Sequence, residues 1–391
     1  MKQDSSSKAG RIAQVRPQVR PSRSIKSALA LMACAALALS ATDAGAHHHA
    51  FGEGELAASF ANAGYPEGIV VQGHRMYVAG PANFDQTQPE VHAYRLNTGE
   101  LVDTIPVTHP GADPADALSC ITSDADGRLY VLSEALGVVR LTRGDDGWKQ
   151  EVYAPLPNDG VPGCVHAAQL APDATDPMHR IGCHLLNDLA FDGSGRLYVT
   201  DSFRATIYRV DAGGGAMEPW FTSPYLLGGP PFPIGTNGIR VSPTDDELYF
   251  DVTTSPLPQL AGQGAVYKLP LVDAPDQEDL TPVHYYAPGL GPDGMAFGED
   301  GALWVALAFG NQVSLLDPGG DEIARLSGPK GSQVPYDAPA NIAFDGKGNI
   351  LVTNHALFSG IKAHFGVERV FVGDRGMPLM KPELGDEGEH E

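Results

Sequence analysis

Basic residues and long apolar runs are scarce in this sequence of 391 residues, and each shortage argues against a class of partner. Lys and Arg total 26 against 48 Asp and Glu, a formal net charge of −22 at pH 7. Such an acidic surface repels nucleic-acid phosphates and anionic membranes, although it also simply favours the solubility of an exported protein. The most apolar run, residues 28–39, is shorter than the roughly 20 residues of a membrane span. We therefore expect a soluble, monomeric mature protein that acts on a small molecule.

The N-terminal segment has the layout of a secretory signal peptide. Residues 1–46 contain seven Lys and Arg, then the apolar run, and end in the small residues Ala-Gly-Ala. Cleavage before His47 would leave residues 47–54 as a flexible mature terminus of a periplasmic or extracellular protein. Cys34 lies in a loose lipobox, so a lipoprotein anchored at that residue is the alternative.

Cysteine is also rare, with only Cys120, Cys164 and Cys183 beyond the predicted cleavage site. In an oxidising compartment two of them can form a disulfide. Cys164 and Cys183 flank a long loop rich in Pro and Asp, which makes them the expected pair and leaves Cys120 free. Three buried thiols are the alternative, since unpaired Cys is usually buried.

Variants of one segment recur along the chain and predict the fold. The clearest copy, residues 186–201, has two β-rich halves joined by an Asp/Gly turn, which is typical of a hairpin. Six such hairpins recur at intervals of roughly 50 to 60 residues, each followed by further β-rich sequence, which indicates an all-β, six-bladed β-propeller of four-stranded blades over residues 55–372. Strands in 55–62 and 367–372 should close the ring, because an open sheet edge invites aggregation. The acidic tail, 373–391, is predicted to be disordered.

The first residue of each hairpin, here called its head, should face the central channel, because the first strand of a propeller blade lines it. The six heads are Glu67, Ser119, Asn187, Asn237, Asp293 and, displaced by one position, Asn341. Two carboxylates in one small space repel each other unless a cation lies between them. Glu67 and Asp293 would supply charge, and Asn187 and Asn237 neutral oxygens, a set that suits Ca²⁺ or another hard divalent cation. For any single head, the preference of Asn and Asp for turns is the simpler explanation.

Five motifs around these heads resemble the senescence-marker/gluconolactonase/luciferin-regenerating family of six-bladed propellers, over roughly residues 60 to 372. They are Pro66-Glu67-Gly68, Asn187-Asp188-Leu189-Ala190-Phe191-Asp192, Thr236-Asn237-Gly238-Ile239, Pro292-Asp293-Gly294-Met295-Ala296-Phe297 and Pro339-Ala340-Asn341-Ile342-Ala343-Phe344. The resemblance implies a calcium-dependent hydrolase of lactones or related esters. It assigns metal ligation to Glu67, Asn237 and Asp293, and contact with the metal or substrate to Asn187.

One departure from that family concerns the substrate. Sugar-lactone members have a basic residue two positions before the third-blade Asn, whereas this chain has Leu185, which argues against a sugar-acid lactone. His184 is the polar residue nearest to that position.

These observations give a leading hypothesis and two alternatives. The leading one is a secreted metal-dependent lactonase or esterase, in which Asp293 or His184 activates water while Asn187 and Asn341 contact the substrate. The alternatives are a non-catalytic exported propeller that binds a ligand or partner, and lyase or synthase chemistry of the kind found in strictosidine-synthase-like propellers.

Overall fold

Six sheets of four antiparallel strands each follow one another along the described part of the chain. This arrangement, given by a computed structural model, confirms the six-bladed β-propeller that the sequence repeats predict. The structure describes residues 49–82, 88–109, 117–157, 184–230 and 232–385. The predicted signal peptide with Cys34, and the expected Cys164 and Cys183 pair, lie outside these ranges.

Strands are numbered in chain order, and blades I to V each contain four consecutive strands. Blade I comprises β2 (Ile69–Gln72), β3 (Arg75–Gly80), β4 (Glu90–Arg95) and β5 (Leu101–Pro106). Blade II comprises β6 (Leu118–Ser123), β7 (Leu129–Ser133), β8 (Gly137–Gly144) and β9 (Gly147–Pro155), and blade III comprises β10 (Leu186–Phe191), β11 (Leu197–Asp201), β12 (Thr206–Val210) and β13 (Glu218–Thr222). Blade IV comprises β14 (Thr236–Val241), β15 (Glu247–Val252), β16 (Gly264–Pro270) and β17 (Thr281–Tyr286), and blade V comprises β18 (Pro292–Phe297), β19 (Leu303–Leu307), β20 (Gln312–Leu316) and β21 (Glu322–Leu326).

Blade VI combines the two ends of the chain. Its inner strands are β22 (Pro339–Phe344), β23 (Asn349–Asn354) and β24 (Gly366–Phe371), and its outer strand is β1 (Gly54–Ser59). β1 pairs antiparallel with β24, from Gly54 opposite Val370 to Ser59 opposite Gly366. The pairing gives both strands a partner and closes the ring, as expected from the sequence. Beside the strands, the described residues hold two 3₁₀ turns and no helix long and apolar enough to cross a membrane.

The recurring Asp/Gly turn has a defined role in joining the two inner strands of a blade. In blade III, Asp192 Oδ1 accepts hydrogen bonds from the backbone N–H groups of Ser194 and Arg196, both at 2.9 Å. Gly195 has a φ of +89°, a conformation that side-chain-bearing residues rarely adopt. This side-chain cap and the glycine together reverse the chain within a few residues, which explains the turn motif in the sequence.

The hydrophobic core lies between the blades. Six clusters of buried side chains each join residues of two neighbouring blades. Aromatic contacts cross these boundaries, as where the rings of Tyr130 and Phe191 meet edge to face at 4.9 Å, and those of Tyr249 and Phe297 at 5.0 Å. Each blade is therefore stabilised by its two neighbours, and a chain of this length needs no larger single core.

The segment after blade VI differs from the predicted disordered tail. Residues 374–385, here called the C-terminal strap, cross the end of the channel opposite the heads and cover a cavity of about 380 Å³. Lys381 Nζ donates to the backbone oxygen of Val71 at 2.9 Å, and Arg128 donates to the backbone oxygen of Leu384. Leu384 is itself buried between blades II and III. The prediction of disorder rested on composition, which does not register anchoring by a few side chains and main-chain hydrogen bonds.

Candidate metal centre

A β-bulge positions the heads in five of the six blades. In blade III, Leu186 pairs with Asp201 and Leu189 with Val199, so three steps on β10 match two on β11. The same shift occurs in blades II, IV, V and VI. A bulge of this kind inserts one extra residue and redirects the side chains beside it. Each inner strand consequently presents two successive residues at the channel instead of one.

The bulges create two tiers of residues around the channel axis. The upper tier contains Glu67, Ser119, Asn187, Asn237, Asp293 and Ala340, and the lower tier contains Gly68, Cys120, Asp188, Gly238, Gly294 and Asn341. The backbone N–H of Asn341 donates to Thr353 Oγ1 at 2.8 Å, just as that of Asp188 donates to Thr200 Oγ1 at 3.0 Å. The one-position displacement of Asn341 seen in the sequence therefore puts it in the lower tier, and Ala340 is the head of blade VI.

The carboxylates of the upper tier are crowded, as the sequence predicts. Glu67 and Asp293 are both buried. Burial, then the charges of Asp293 and Asp188, raise the pKa of Glu67 well above its ordinary value. Burial and then Asp188 raise the pKa of Asp293 in the same direction. The uncompensated repulsion between these groups is the condition that a bound cation relieves.

The two amides of the upper tier are held by hydroxyl groups of the residues that directly follow the second strand of each blade. Asn187 Nδ2 donates to Ser202 Oγ at 3.1 Å, and Asn237 Nδ2 donates to Thr253 Oγ1 at 2.9 Å. Each hydroxyl then donates to a backbone oxygen of the next blade, Ser202 to Thr236 at 2.7 Å and Thr253 to Pro292 at 3.0 Å. Because the NH₂ group of each amide points towards its hydroxyl partner, the amide oxygen points away from that hydroxyl group.

That orientation leaves buried oxygens without a hydrogen-bond donor. Among the described residues, Asn237 Oδ1 and Glu67 Oε2 have no hydrogen-bond partner. Buried oxygens in native proteins nearly always have one, so an oxygen that lacks a donor beside crowded carboxylates suits a cation. Within the described ranges no three His, Cys, Asp or Glu side chains form a metal-binding group. The upper tier reaches four oxygen donors only when its two amides are counted with its two carboxylates.

The lower tier is a cross-channel network that the sequence did not indicate. Arg240 Nη1 lies 2.7 Å from Asp188 Oδ2, and its Nη2 donates to Asn341 Oδ1 at 2.8 Å. Asn341 Nδ2 in turn contacts Cys120 Sγ at 2.7 Å. Both ends of the Asn341 amide are thus bonded inside the protein, which argues against the predicted role in substrate binding.

Glycine at the lower-tier position of blade IV allows the backbone of blade V and a further carboxylate to approach closely. A Cβ atom added to Gly238 would lie 2.3 Å from the backbone oxygen of Asp293 and 2.8 Å from Asp251 Oδ2. Asp251, on β15, is fully buried, and neither of its carboxylate oxygens has a hydrogen-bond partner among the described residues. Burial, then Asp293 and Asp188, raise its pKa well above the ordinary value. Asp251 is a further acidic group beside the channel that sequence reasoning missed.

Two histidines lie at the edge of the upper tier. His355 directly follows β23, and its Nδ1 is 3.0 Å from Glu67 Oε2, although without hydrogen-bond geometry. Burial lowers the pKa of His355 to about 4, so its ring is neutral near pH 7. Sequence reasoning did not identify His355. Its position in the repeat could have indicated it, because His355 directly follows β23 just as Ser202 directly follows β11. His184 lies further out in blade III, with Nδ1 2.5 Å from Asp201 Oδ2 and its ring beside Tyr208.

The fold and the upper tier define a class of protein, a six-bladed propeller with an oxygen-lined, negatively charged site at one end of its central channel. A family model described as the SMP-30/Gluconolactonase/LRE-like region matches residues 65–355. Because that match spans well over half of the sequence, the chain belongs to this family.

Several solved structures share this fold. A calcium-binding protein, regucalcin from Agrobacterium tumefaciens, is 18% identical with a TM-score of 0.55, over 86% of this chain and 98% of that one. A putative gluconolactonase is 16% identical with a TM-score of 0.54, over 83% and 94% of the two chains. A luciferin-regenerating enzyme is 16% identical with a TM-score of 0.53, over 85% and 97%. No curated protein sequence gives a significant match.

Proposed function

We propose that this protein is an exported hydrolase of a lactone or related carboxylic ester, and that it depends on a divalent cation, Ca²⁺ being the best fit. The observation that carries the proposal is the buried Asn237 Oδ1, which lacks a donor and lies in the same tier as the crowded carboxylates Glu67 and Asp293. Membership of the gluconolactonase-like family supports the reaction class. The calcium-binding regucalcin among the similar structures supports the ion.

The residues of the upper tier fit such a group. Glu67, Asn237 and Asp293 would hold the cation, with Asn187 as a fourth oxygen shared with the substrate. A bound Ca²⁺ would polarise the carbonyl group and stabilise the negative charge that develops on its oxygen. Asn187, whose orientation Ser202 fixes, holds the carbonyl group in line for attack.

Water activation requires a proton acceptor on the channel side of the substrate. Asp293 is one of the two carboxylates of the upper tier, and we assign it this role. His184, held by Asp201, is the second candidate. The two assignments differ in their test, since His184→Gln would slow hydrolysis without changing cation affinity, whereas Asp293→Asn would reduce both.

The proposal is tested by lactone hydrolysis measured across a chelator and calcium titration. We expect wild-type activity to disappear with chelator and to return with Ca²⁺. Asp293→Asn should abolish hydrolysis, and Asn187→Ala should lower turnover while calorimetry still detects bound Ca²⁺. Activity that survives chelation or Asp293→Asn would overturn the metal-hydrolase proposal. Calcium binding without turnover on any lactone or aryl ester would favour a binding propeller.

Export is proposed separately, on the signal-like layout of residues 1–46. Intact-mass measurement of protein from the culture medium or periplasm should give a chain that begins at His47. A mass corresponding to a diacylated Cys34 would instead establish a lipoprotein.

A further inference from the structure

Three phenylalanines from different loops meet on the surface of the propeller. Phe232 precedes β14, Phe309 lies between β19 and β20, and Phe358 lies between β23 and β24. Their ring centroids are 5.4 Å apart for Phe232 and Phe309, 5.2 Å for Phe232 and Phe358, and 5.5 Å for Phe309 and Phe358. Each ring touches both others, and we call the group the phenylalanine platform.

The platform lies at the same end of the channel as the upper tier. In an antiparallel blade, the start of the first strand and the end of the second share one face of the propeller, and these three loops all leave from that face. The C-terminal strap covers the opposite face, so it does not reach the platform.

Hydrogen bonds connect the backbone of two of these phenylalanines to residues close in sequence to the site. Thr254 Oγ1 donates to the backbone oxygen of Phe232 at 2.7 Å, and Thr254 follows the Thr253 that holds Asn237. The backbone N–H of Phe309 donates to the oxygen of Leu290 at 3.1 Å, three residues before Asp293. These two rings therefore stand beside blades IV and V, whose heads are proposed cation ligands.

The other contacts fix the platform in place. A Cβ atom added to Gly291 would lie 2.6 Å from the ring of Phe309, so this ring packs directly on the backbone that leads into β18. Phe358 is three residues after His355, which lies beside Glu67. The platform thus borders the sector of the mouth formed by blades IV, V and VI.

The fold does not explain why two of the three rings are exposed. Phe232 is 44% exposed and Phe358 is 50% exposed, and none of the three rings belongs to any of the six core clusters. Leu357 and Ile361, on the same loop as Phe358, are also exposed and enlarge the apolar surface. A contiguous apolar patch at the rim of a polar site commonly marks where a ligand binds.

We propose that the platform binds the apolar part of the substrate, so that the preferred substrate is a lactone or ester with an alkyl or aryl substituent. This inference rests on the proposed hydrolase function. Three rings offer apolar contact and ring stacking but no hydrogen-bond donor or acceptor for the hydroxyl groups of a sugar lactone.

The platform can be tested with a series of γ-lactones whose alkyl chain grows from none to six carbons, with glucono-1,5-lactone as the polar comparison. Each methylene that is buried on the rings should raise kcat/KM about three- to fourfold in the wild type. Phe358→Ala should flatten this dependence, so that the variant differs most from the wild type on the lactone with the longest chain. Phe51→Ala is the matched control, because Phe51 is 43% exposed and lies outside the platform.

A second measurement separates this inference from the proposed function. The γ-lactams of the same chain lengths are not hydrolysed, and their binding can be followed by calorimetry. If lactam affinity rises with chain length in the wild type but not in Phe358→Ala, the platform proposal is supported even when no lactone is hydrolysed. If lactones are hydrolysed at rates that do not depend on chain length, or glucono-1,5-lactone is preferred, the hydrolase proposal is supported and the platform proposal is wrong. The platform proposal is also wrong if lactam affinity depends neither on chain length nor on Phe358.

Discussion

Glu368 should make the stability of the propeller depend on pH. It lies on β24, opposite Leu56 of β1 on one side and Val352 of β23 on the other, and it is completely buried. Neither carboxylate oxygen has a hydrogen-bond partner among the described residues. Burial raises the pKa of Glu368 from an ordinary 4.5 to about 7.

The direction of the effect follows from which state binds the proton more tightly. Because the pKa is higher in the folded protein, folding carries no penalty from this group below pH 4.5, where both states are protonated. The penalty grows as the pH rises towards 7 and stays constant above it. A pKa difference of about 2.5 corresponds to about 3 kcal/mol of lost free energy of unfolding at pH 8.

Glu368→Gln isolates this contribution, because the amide stays neutral throughout. The stability of the variant minus that of the wild type should be close to zero near pH 4.5 and reach about 3 kcal/mol near pH 8. Denaturant unfolding measured from pH 4.5 to 8.5 at a fixed calcium concentration gives this difference, in which other titrating groups cancel. Glu100→Gln, on a residue whose side chain is 63% exposed, is the control and should give a flat difference. A flat difference for Glu368→Gln would refute the reasoning.

Three further predictions follow from other parts of the structure. Thr253→Val removes the acceptor that orients the Asn237 amide and should weaken calcium binding about five- to tenfold by calorimetry. Ser119→Ala, the control, should change calcium affinity by no more than a factor of a few. Equal effects of the two substitutions would contradict the assigned tiers. Cys120 is buried, and burial raises the pKa of its thiol. Peptide mapping should therefore find Cys120 alkylated only after denaturation. Alkylation of Cys120 in the native protein would contradict this prediction. A chain that stops at Gly373 loses the strap with its Lys381 contacts. Its melting temperature should be roughly 5 to 10 °C lower, while lactone hydrolysis is retained. An unchanged melting temperature would show that the strap adds no stability.

The repeats made most of the fold predictable from the sequence. Alternating apolar residues and Asp/Gly turns are local features, so each hairpin could be read without its neighbours, and six of them in succession imply a ring. The heads Glu67, Asn187, Asn237 and Asp293 followed from the same register. The strap was not predictable, because its stability depends on partners such as Val71, about 300 residues earlier in the chain.

The finer arrangement of the site depended on contacts between blades that no local pattern encodes. Asn341 resembles a head in sequence, and only the hydrogen bond from its backbone to Thr353 places it in the lower tier. Arg240 follows an ordinary strand pattern, yet its side chain joins Asp188 to Asn341 across the channel. The phenylalanine platform likewise requires three loops from different blades, which the sequence alone cannot bring together.

The closure of blade VI has a consequence for how the protein is made. β1 is synthesised long before β24, which follows it by more than 300 residues and is its one strand partner among the described residues. Blades I to V contain only consecutive strands, so each can form as it leaves the ribosome, whereas β1 must wait for the final blade. A prematurely terminated chain would carry β1 without any partner, an exposed strand open to aggregation. Only a chain translated through β24 can therefore pair β1 and complete blade VI.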